Sequence, residues 1–582
     1  MPLRANLTAM ATKLPPAAEV EPSEPPPQKS THAGIVRSAG IISAAVMLSR
    51  ITGLVREMVL ARFFGASMVF DAFLAAFRIP NLMRDLLAEG ALSAAFVTTF
   101  SQELSAKGDA AAFRLSNLLA SVLVPMLAVL CLLGVIFAPQ VVDVMFPGFE
   151  AVPGKKELTV QLARIMMPFL LFIALAAKAM GVLNAKGRFG LPALASAFFN
   201  VTSLAAGLSL GFVLGPKLGF EPIVGMAVGT LLGGAVQYVC QVPSLRRAGL
   251  RFRPIFDLSD PGLRQVMRLM GPAILGAAAV QINIVVNSIF ASQITNAAGE
   301  VIDGPVSWLG YAFRFMQLPL GLFGVAVASA TLPAISRSAG AGRIAEFRET
   351  LARSLGLVFL STIPSAVGLI VLSRPIVGVL FQRGEFTAND TEQTAIALSY
   401  YCLGLAGYAA IKVLTPAFYA LNDVRIPVMT SVASIAVNYT LNWTFIRVLG
   451  WGHAGLAFST SLVATCNFLA LFWLMRAKAA GIEGRRLAWS VAKISLASTL
   501  MGAACWFSSY TVRQQLGEAG LARLVDVAIS LPLGLFVLYH ACRWLRVNEL
   551  NAARQAILDR WRGPARTKRS GEPYDRIDRN GL

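Results

Sequence analysis

"GVLNAKGRFGLPALASAFFNV" (residues 181–201) has a counterpart far downstream, "AFYALNDVRIPVMTSVASIAVN" (417–438). Each closes an apolar run with Leu-Asn, turns through a short loop carrying an arginine, and places a proline near the start of the next apolar run. The agreement continues beyond, where "VGMAVGTLLGGAVQYV" (224–239) parallels "AGLAFSTSLVATCNFL" (454–469). Runs of roughly 20 apolar residues cross a hydrocarbon core as helices. Repetition of a whole group of such spans points to two pseudo-symmetric lobes with a cavity between them, the architecture of alternating-access transporters.

Composition supports the membrane reading. The 582 residues are 56% hydrophobic and only 14% charged, with a mean hydropathy of +0.63, whereas soluble domains carry about 25% charged residues. A β-barrel requires short segments of alternating polarity, which are not the pattern here. The expected fold is an all-α polytopic membrane protein of about fourteen transmembrane helices, in two six-helix lobes plus two C-terminal helices. The expected division is a disordered cytoplasmic tail at 1–33, an N-lobe at 34–247, a C-lobe at 248–480, a final helix pair at 481–546 and a basic cytoplasmic tail at 547–582.

The net charge of +20 does not indicate nucleic-acid binding, because the positive residues fall between apolar runs rather than in a separate basic domain. The loops at 246–268, 337–353 and 476–486 are arginine-rich, while "TNAAGEVIDG" (295–304) has no positive charge. Positive loops stay in the cytoplasm, so both termini are expected there. The six cysteines are scattered without metal-ligand spacing and read as buried small hydrophobes. The three histidines lie far apart, and there is no GxxxxGK[ST] sequence for nucleotide hydrolysis. No enzyme constellation emerges, and no cofactor is expected.

Charges interrupt the first lobe. Arg50 and Arg56 lie late in the first span, Asp71 early in the second, Arg84, Asp85 and Glu89 further along it, and Arg314 in the eighth. Ionisable groups at membrane depth are costly and either pair or face a hydrated cavity. On an α-helix Arg50 and Glu57 share a face, whereas Arg84 and Glu89 point about 140° apart. These groups therefore need partners on other helices or a ligand, and Pro80 is expected to kink the span. One reading has the arginines pairing with Asp71, Asp85 and Glu89. The other has Arg50, Arg56, Arg84 and Arg314 lining a cavity for a phosphate-bearing substrate, which a planar guanidinium binds bidentately. In the second lobe Asn438 and Asn442, with Ser461 and Thr465, could supply hard oxygen ligands to a sodium ion; hydrogen bonding between helices is the competing reading.

"SRITGLVREMVLARFFGASMVFDAFLAAFRIPNLMRDLLAEGALSAAFVTTF" (49–100) resembles the signature region of the MurJ (MviN) lipid II flippases, of the multidrug/oligosaccharidyl-lipid/polysaccharide exporter superfamily. "GPAILGAAAVQINIVVNSIFAS" (271–292), "LPLGLFGVAVASATLPAISR" (318–337) and "LFQRGEFT" (380–387) match in order, so the resemblance covers about residues 35–545. It implies movement of lipid II, undecaprenyl-diphosphate-linked disaccharide-pentapeptide, from the cytoplasmic to the periplasmic leaflet of the inner membrane for cell-wall synthesis. Another polyprenyl-linked oligosaccharide or a small molecule is the alternative cargo. The resemblance places Arg50, Arg56, Arg84 and Arg314 on the substrate, makes Asp71 and Glu89 cavity or gating charges, and gives the last two spans, 487–545, a groove for the lipid tail. Phe313 departs from the polar or acidic residue that many relatives carry before this arginine. Membrane lipids and cell-wall synthesis proteins are the partners it suggests, with a monovalent cation as a possible coupling ion.

Overall fold

The computed structural model describes residues 32–517, 519–551, 554 and 555, with side chains throughout them except at 32–43, 88–91, 94 and 275. The tails expected at 1–33 and 547–582 fall almost wholly outside the described residues, as does the side chain of Glu89. Among the described residues every element is helical, apart from one isolated bridge between Thr295 and Val301.

The first lobe opens with α1 (His32–Phe64) and α2 (Met68–Met83); α2 passes through a π-helical turn (Arg84–Leu92) into α3 (Ser93–Ile136). α3 is two helical arms joined across a kink at Gly108, whose φ of +80° suits glycine. α4 (Ala138–Met145) leads to α5 (Lys155–Met166) and α6 (Phe169–Ala185), which are separated at Pro168. α7 (Gly190–Leu208), a π-helical turn (Ser209–Leu214), α8 (Gly215–Leu218), α9 (Pro222–Val239) and α10 (Val242–Arg247) complete this lobe.

The second lobe begins with α11 (Pro261–Ser292) and α12 (Pro305–Pro319), the latter continuing through a π-helical turn (Leu320–Gly324) into α13 (Val325–Gly340). α14 (Ile344–Val371), α15 (Ser373–Phe381), α16 (Ala388–Cys402) and α17 (Leu405–Ala420) follow. α18 (Arg425–Trp443), a π-helical turn (Thr444–Val448) and α19 (Gly452–Lys478) close the lobe, and α20 (Gly484–Leu516) and α21 (Gly520–Trp544) form the last pair.

The repeat extends to irregularities. The α2 column and the α12 column each break into a π-helical turn after about four helical turns, and α7 and α18 each end in one. A helix rarely adopts i→i+5 bonding, so its recurrence at matching places marks these as built features. Pro80 is accommodated inside α2, and the irregularity opens one turn later at Arg84, where the expected kink is replaced by a widened turn.

Nine helical segments among the described residues are long and apolar enough to cross a membrane, or up to eleven if each of two bent pairs is one span. The α1, α2 and α18 columns stand outside that set, and the expected fourteen is compatible with it. All six cysteines are free, four of them buried.

Helices of the first lobe approach closely through glycine. A Cβ on Gly225 would sit 2.2 Å from the Gly211 nitrogen, and one on Gly229 would sit 2.5 Å from the Gly207 Cα, so α9 lies against α7 and its π-helical turn almost backbone to backbone. Gly225→Leu should therefore destabilise the purified protein by about 2 kcal/mol or more, while Gly271→Ala, with nothing within 4 Å of the new methyl, should be neutral in thermal unfolding.

Candidate functional site

The site lies where α1, α2 and α12 meet. α1 carries Arg56 and Glu57 side by side, and α12 carries Arg314. Glu57 Oε1 accepts a hydrogen bond from Arg56 Nη2 at 3.0 Å and forms an ion pair with Arg314 Nη2 at 3.2 Å. This carboxylate, 10% exposed, bridges two helices that belong to different lobes. The Arg56 guanidinium also lies over the Phe199 ring at 5.3 Å, and its Nε is buried with no acceptor. A buried, unsatisfied donor on a permanent cation is expensive, and an incoming anion would satisfy it.

Leu60, Phe73, Leu74, Phe77, Ser203 and Thr230 join these charges around a cavity of about 20 Å³, room for roughly one water. Two arginines and one glutamate leave it net positive. Arg314 is 54% exposed and reaches beyond it. Arg50 is exposed as well and lies against the π-helical turn of the α12 column: a Cβ on Gly321 would sit 2.8 Å from Arg50 Nη2. Arg84 is not among the described cavity residues. It stands at the start of its own π-helical turn and gives two hydrogen bonds to Asp85 Oδ1, at 3.1 and 2.8 Å. Arg78, a residue of α2, donates to Ser288 of α11 at 3.0 Å and ties the two lobes.

Three expectations need correction. The angle of about 140° between positions 84 and 89 assumed α-helical geometry; i→i+5 bonding across Arg84–Leu92 turns the backbone at these two positions toward one face. Asp71 does not line the arginine cavity. It is fully buried at the other lobe's helix start, accepting from the Gly304 N–H (2.8 Å), the Ser307 N–H (2.9 Å) and the Ser307 hydroxyl (2.6 Å). Gly304 offers α12 no side-chain cap, and Asp71 supplies one from across the seam, its charge favoured by the helix N-terminus.

The sodium ligands do not assemble either. Asn287 Oδ1 accepts from Asn438 and Asn442, Asn438 Oδ1 accepts from Asn442, and Asn442 Oδ1 accepts from Ser459. Thr465 lies about 9 Å further along α19 than Ser459 and donates to the Ser461 carbonyl. Ser461 donates to the carbonyls of Tyr400 and Tyr401. These oxygens are already engaged in joining helices, and among the described residues no group of His, Cys, Asp and Glu is placed to hold a metal.

Two residues lie outside the expected site: Glu57, which the sequence places only on the face of Arg50, and Lys155. Glu57 could have been found as the acid beside Arg56 at membrane depth, although i,i+1 neighbours do not share a helix face. Lys155 gave no signal, since "GKKELT" reads as an ordinary polar loop. Its ammonium is buried, 3.0 Å from Asp71 Oδ2 and 2.8 Å from Asp303 Oδ1.

At this same end of the molecule the lobes meet backbone to backbone. The Glu385 N–H donates to the Arg62 carbonyl at 2.9 Å. Gly65 and Gly384, both at φ near +60°, make this possible, because a Cβ on either would fall 2.4 and 2.2 Å from the facing carbonyl oxygen. Tyr311 stacks on Phe70 and donates to the Gly65 carbonyl. The end with the basic loops carries contacts too, through Gln265 with Gln102 and Arg114 with Asp257.

Two repeated helical lobes with a cationic cavity in their seam have the architecture of an alternating-access transporter. The family model described as lipid II flippase MurJ matches residues 60–523, and the chain belongs to that family. It is 35% identical to the probable lipid II flippase MurJ of Vibrio cholerae over 521 residues, 86% of this chain and 96% of that one. With the lipid II flippase MurJ of Burkholderia cenocepacia it is 36% identical over 446 residues, covering 76% and 84%. A solved structure of lipid II flippase MurJ in an inward closed conformation superposes with a TM-score of 0.69 at 27% identity, covering 87% of this chain and 99% of that one. An inward-facing multidrug resistance MATE family transporter shares the fold, with a TM-score of 0.57 at 17% identity over 76% and 95%.

If the asparagine network is structural, Asn442→Ala should lower stability by about 1–3 kcal/mol. Thermal unfolding in sodium and in potassium should then coincide for both the parent and the variant.

Proposed function

We propose that this protein carries lipid II across the bacterial cytoplasmic membrane by alternating access, with both termini in the cytoplasm. The observation that carries the reading is the Arg56–Glu57–Arg314 cluster, a cationic site spanning both lobes in which Arg56 and Glu57 are buried, Arg314 is exposed and Arg56 Nε is an unsatisfied donor. Glu57 acts as a resident counter-ion. With no cargo it pairs with both arginines and offsets one of their two charges; a diphosphate, carrying more charge and bidentate geometry, competes for them and releases it. Arg50, which lies against the π-helical turn of the α12 column, and Arg84, at the start of the π-helical turn of the α2 column, guide the headgroup in. The polyprenyl tail stays in the hydrocarbon or along α20 and α21, so only the polar headgroup needs the hydrated path.

Once the headgroup is bound, the lobes rock and the Asp71 end opens to the periplasm. Any net charge moved in this step is driven by the membrane potential at about 2.3 kcal/mol per charge per 100 mV. Coupling to a monovalent cation is a second proposed drive, and the asparagines of the second lobe are not its site in this reading. Cell-wall synthesis proteins are the natural takers of the exposed lipid.

The test is outer-leaflet lipid II in cells depleted of their own flippase and supplied with this chain. The parent should restore exposure, while Arg56→Ala and Arg314→Ala, at matched expression, should each lower it by about tenfold or more. A parent that inserts correctly yet restores nothing points to a different polyprenyl-linked cargo. Variants as active as the parent would sink the cationic-site mechanism.

A further inference from the structure

We infer that Lys155 is a positioning residue for transport: it is a buried cation that pins the two lobes together at the periplasmic end, and it sets how readily that end opens. The inference deepens the transport reading given above and rests on it only for the orientation of the molecule.

Lys155 begins α5 and is 1% exposed. Its ammonium lies between a carboxylate of its own lobe, Asp71 Oδ2 at 3.0 Å, and one of the other lobe, Asp303 Oδ1 at 2.8 Å. The Phe149 ring covers it at 4.4 Å. Asp303 adjoins Gly304, whose N–H reaches Asp71. Lys155, Asp71 and the Asp303–Gly304 backbone thus form a closed ring that crosses the seam twice. A buried carboxylate and a buried ammonium are each unfavourable alone and tolerable together.

The two arms of Lys155 differ in burial. Asp71 is 1% exposed at its side chain, whereas Asp303 is 41% exposed. Asp71 and Lys155 belong to one lobe, so they stay paired when the lobes part. Asp303 goes with the other lobe into water, where its charge is well solvated. Opening therefore breaks one ion pair and the α12 cap without stranding a charge in either lobe. Without the ammonium, Asp71 would keep its charge with only amide and hydroxyl donors, and Asp303 would have no reason to remain at the seam. Arg62 and Glu385, on the neighbouring contact, meet through backbone atoms and do not supply the missing cation.

The experiment uses the full chain in cells, with Cys466→Ser to remove the exposed thiol and Leu74→Cys as a reporter in the cavity beneath the seam. A membrane-impermeant maleimide added from the periplasm reads how often that end is open. Lys155→Met should label about tenfold faster than the parent. Asp303→Asn, which leaves the buried Lys155–Asp71 pair intact, should also label faster, and Lys155→Arg should return protection toward the parent. Labelling of Lys155→Met and Asp303→Asn at the parent rate overturns the inference. Should Lys155→Met fail to insert, the Asp303→Asn rate alone decides. The readout does not depend on which lipid is carried, so a failed flippase assay with a positive labelling result would separate the two claims.

Discussion

A carboxylate held away from water must be ringed by donors, and the way Asp71 finds them organises the molecule. Two come from the first turn of α12, one from the Ser307 hydroxyl and one from Lys155. The helix it caps belongs to the opposite lobe, so this buried charge has its full set of donors only while that end is shut and keeps Lys155 alone of them when it opens. The start of α12 in turn has no cap of its own. Each lobe leaves incomplete what the other completes, and the closed seam is the state in which both sets of polar groups are paired.

The arginine site below follows the opposite logic. There the pairing is deliberately short of donors' needs: one glutamate serves two guanidinium groups, and Arg56 Nε has no acceptor. Charge that is over-satisfied at the seam and under-satisfied in the cavity gives the two places different tasks, one to hold and one to receive. Phe73 and Phe77 of α2 wall this cavity, so the column that bears Asp71 near its start also borders the arginines further along.

Much of the fold was readable because apolar run length and repetition are properties of the chain itself. Leu183-Asn184 and Leu421-Asn422 do end matching helices, α6 and α17, ahead of the matched pair α7 and α18. What escaped depended on geometry that sequence period does not encode. The angle between Arg84 and Glu89 was computed on 3.6 residues per turn, and a π-helical turn cancels that premise. Asp71 looked like a cavity charge because its spacing along α2 says nothing about a helix start 230 residues away. Thr465 shared a helix with Ser459 but sat too far along it to join the asparagines. Lys155 was hidden by composition, since one buried lysine beside the partly exposed Lys156 reads as a solvated loop.

The crossing of Gly65 and Gly384 has a consequence for the cell's energy supply. A carrier with a cargo as large as a lipid-linked sugar needs a wide passage, and a wide passage left ajar would short-circuit the proton and sodium gradients. Here the last barrier is main chain against main chain, at separations that leave no space for a methyl group, let alone a hydrated ion. Insulation at that point is a property of the backbone path itself, so this part of the seal has no side-chain rotamer whose thermal flicker could conduct.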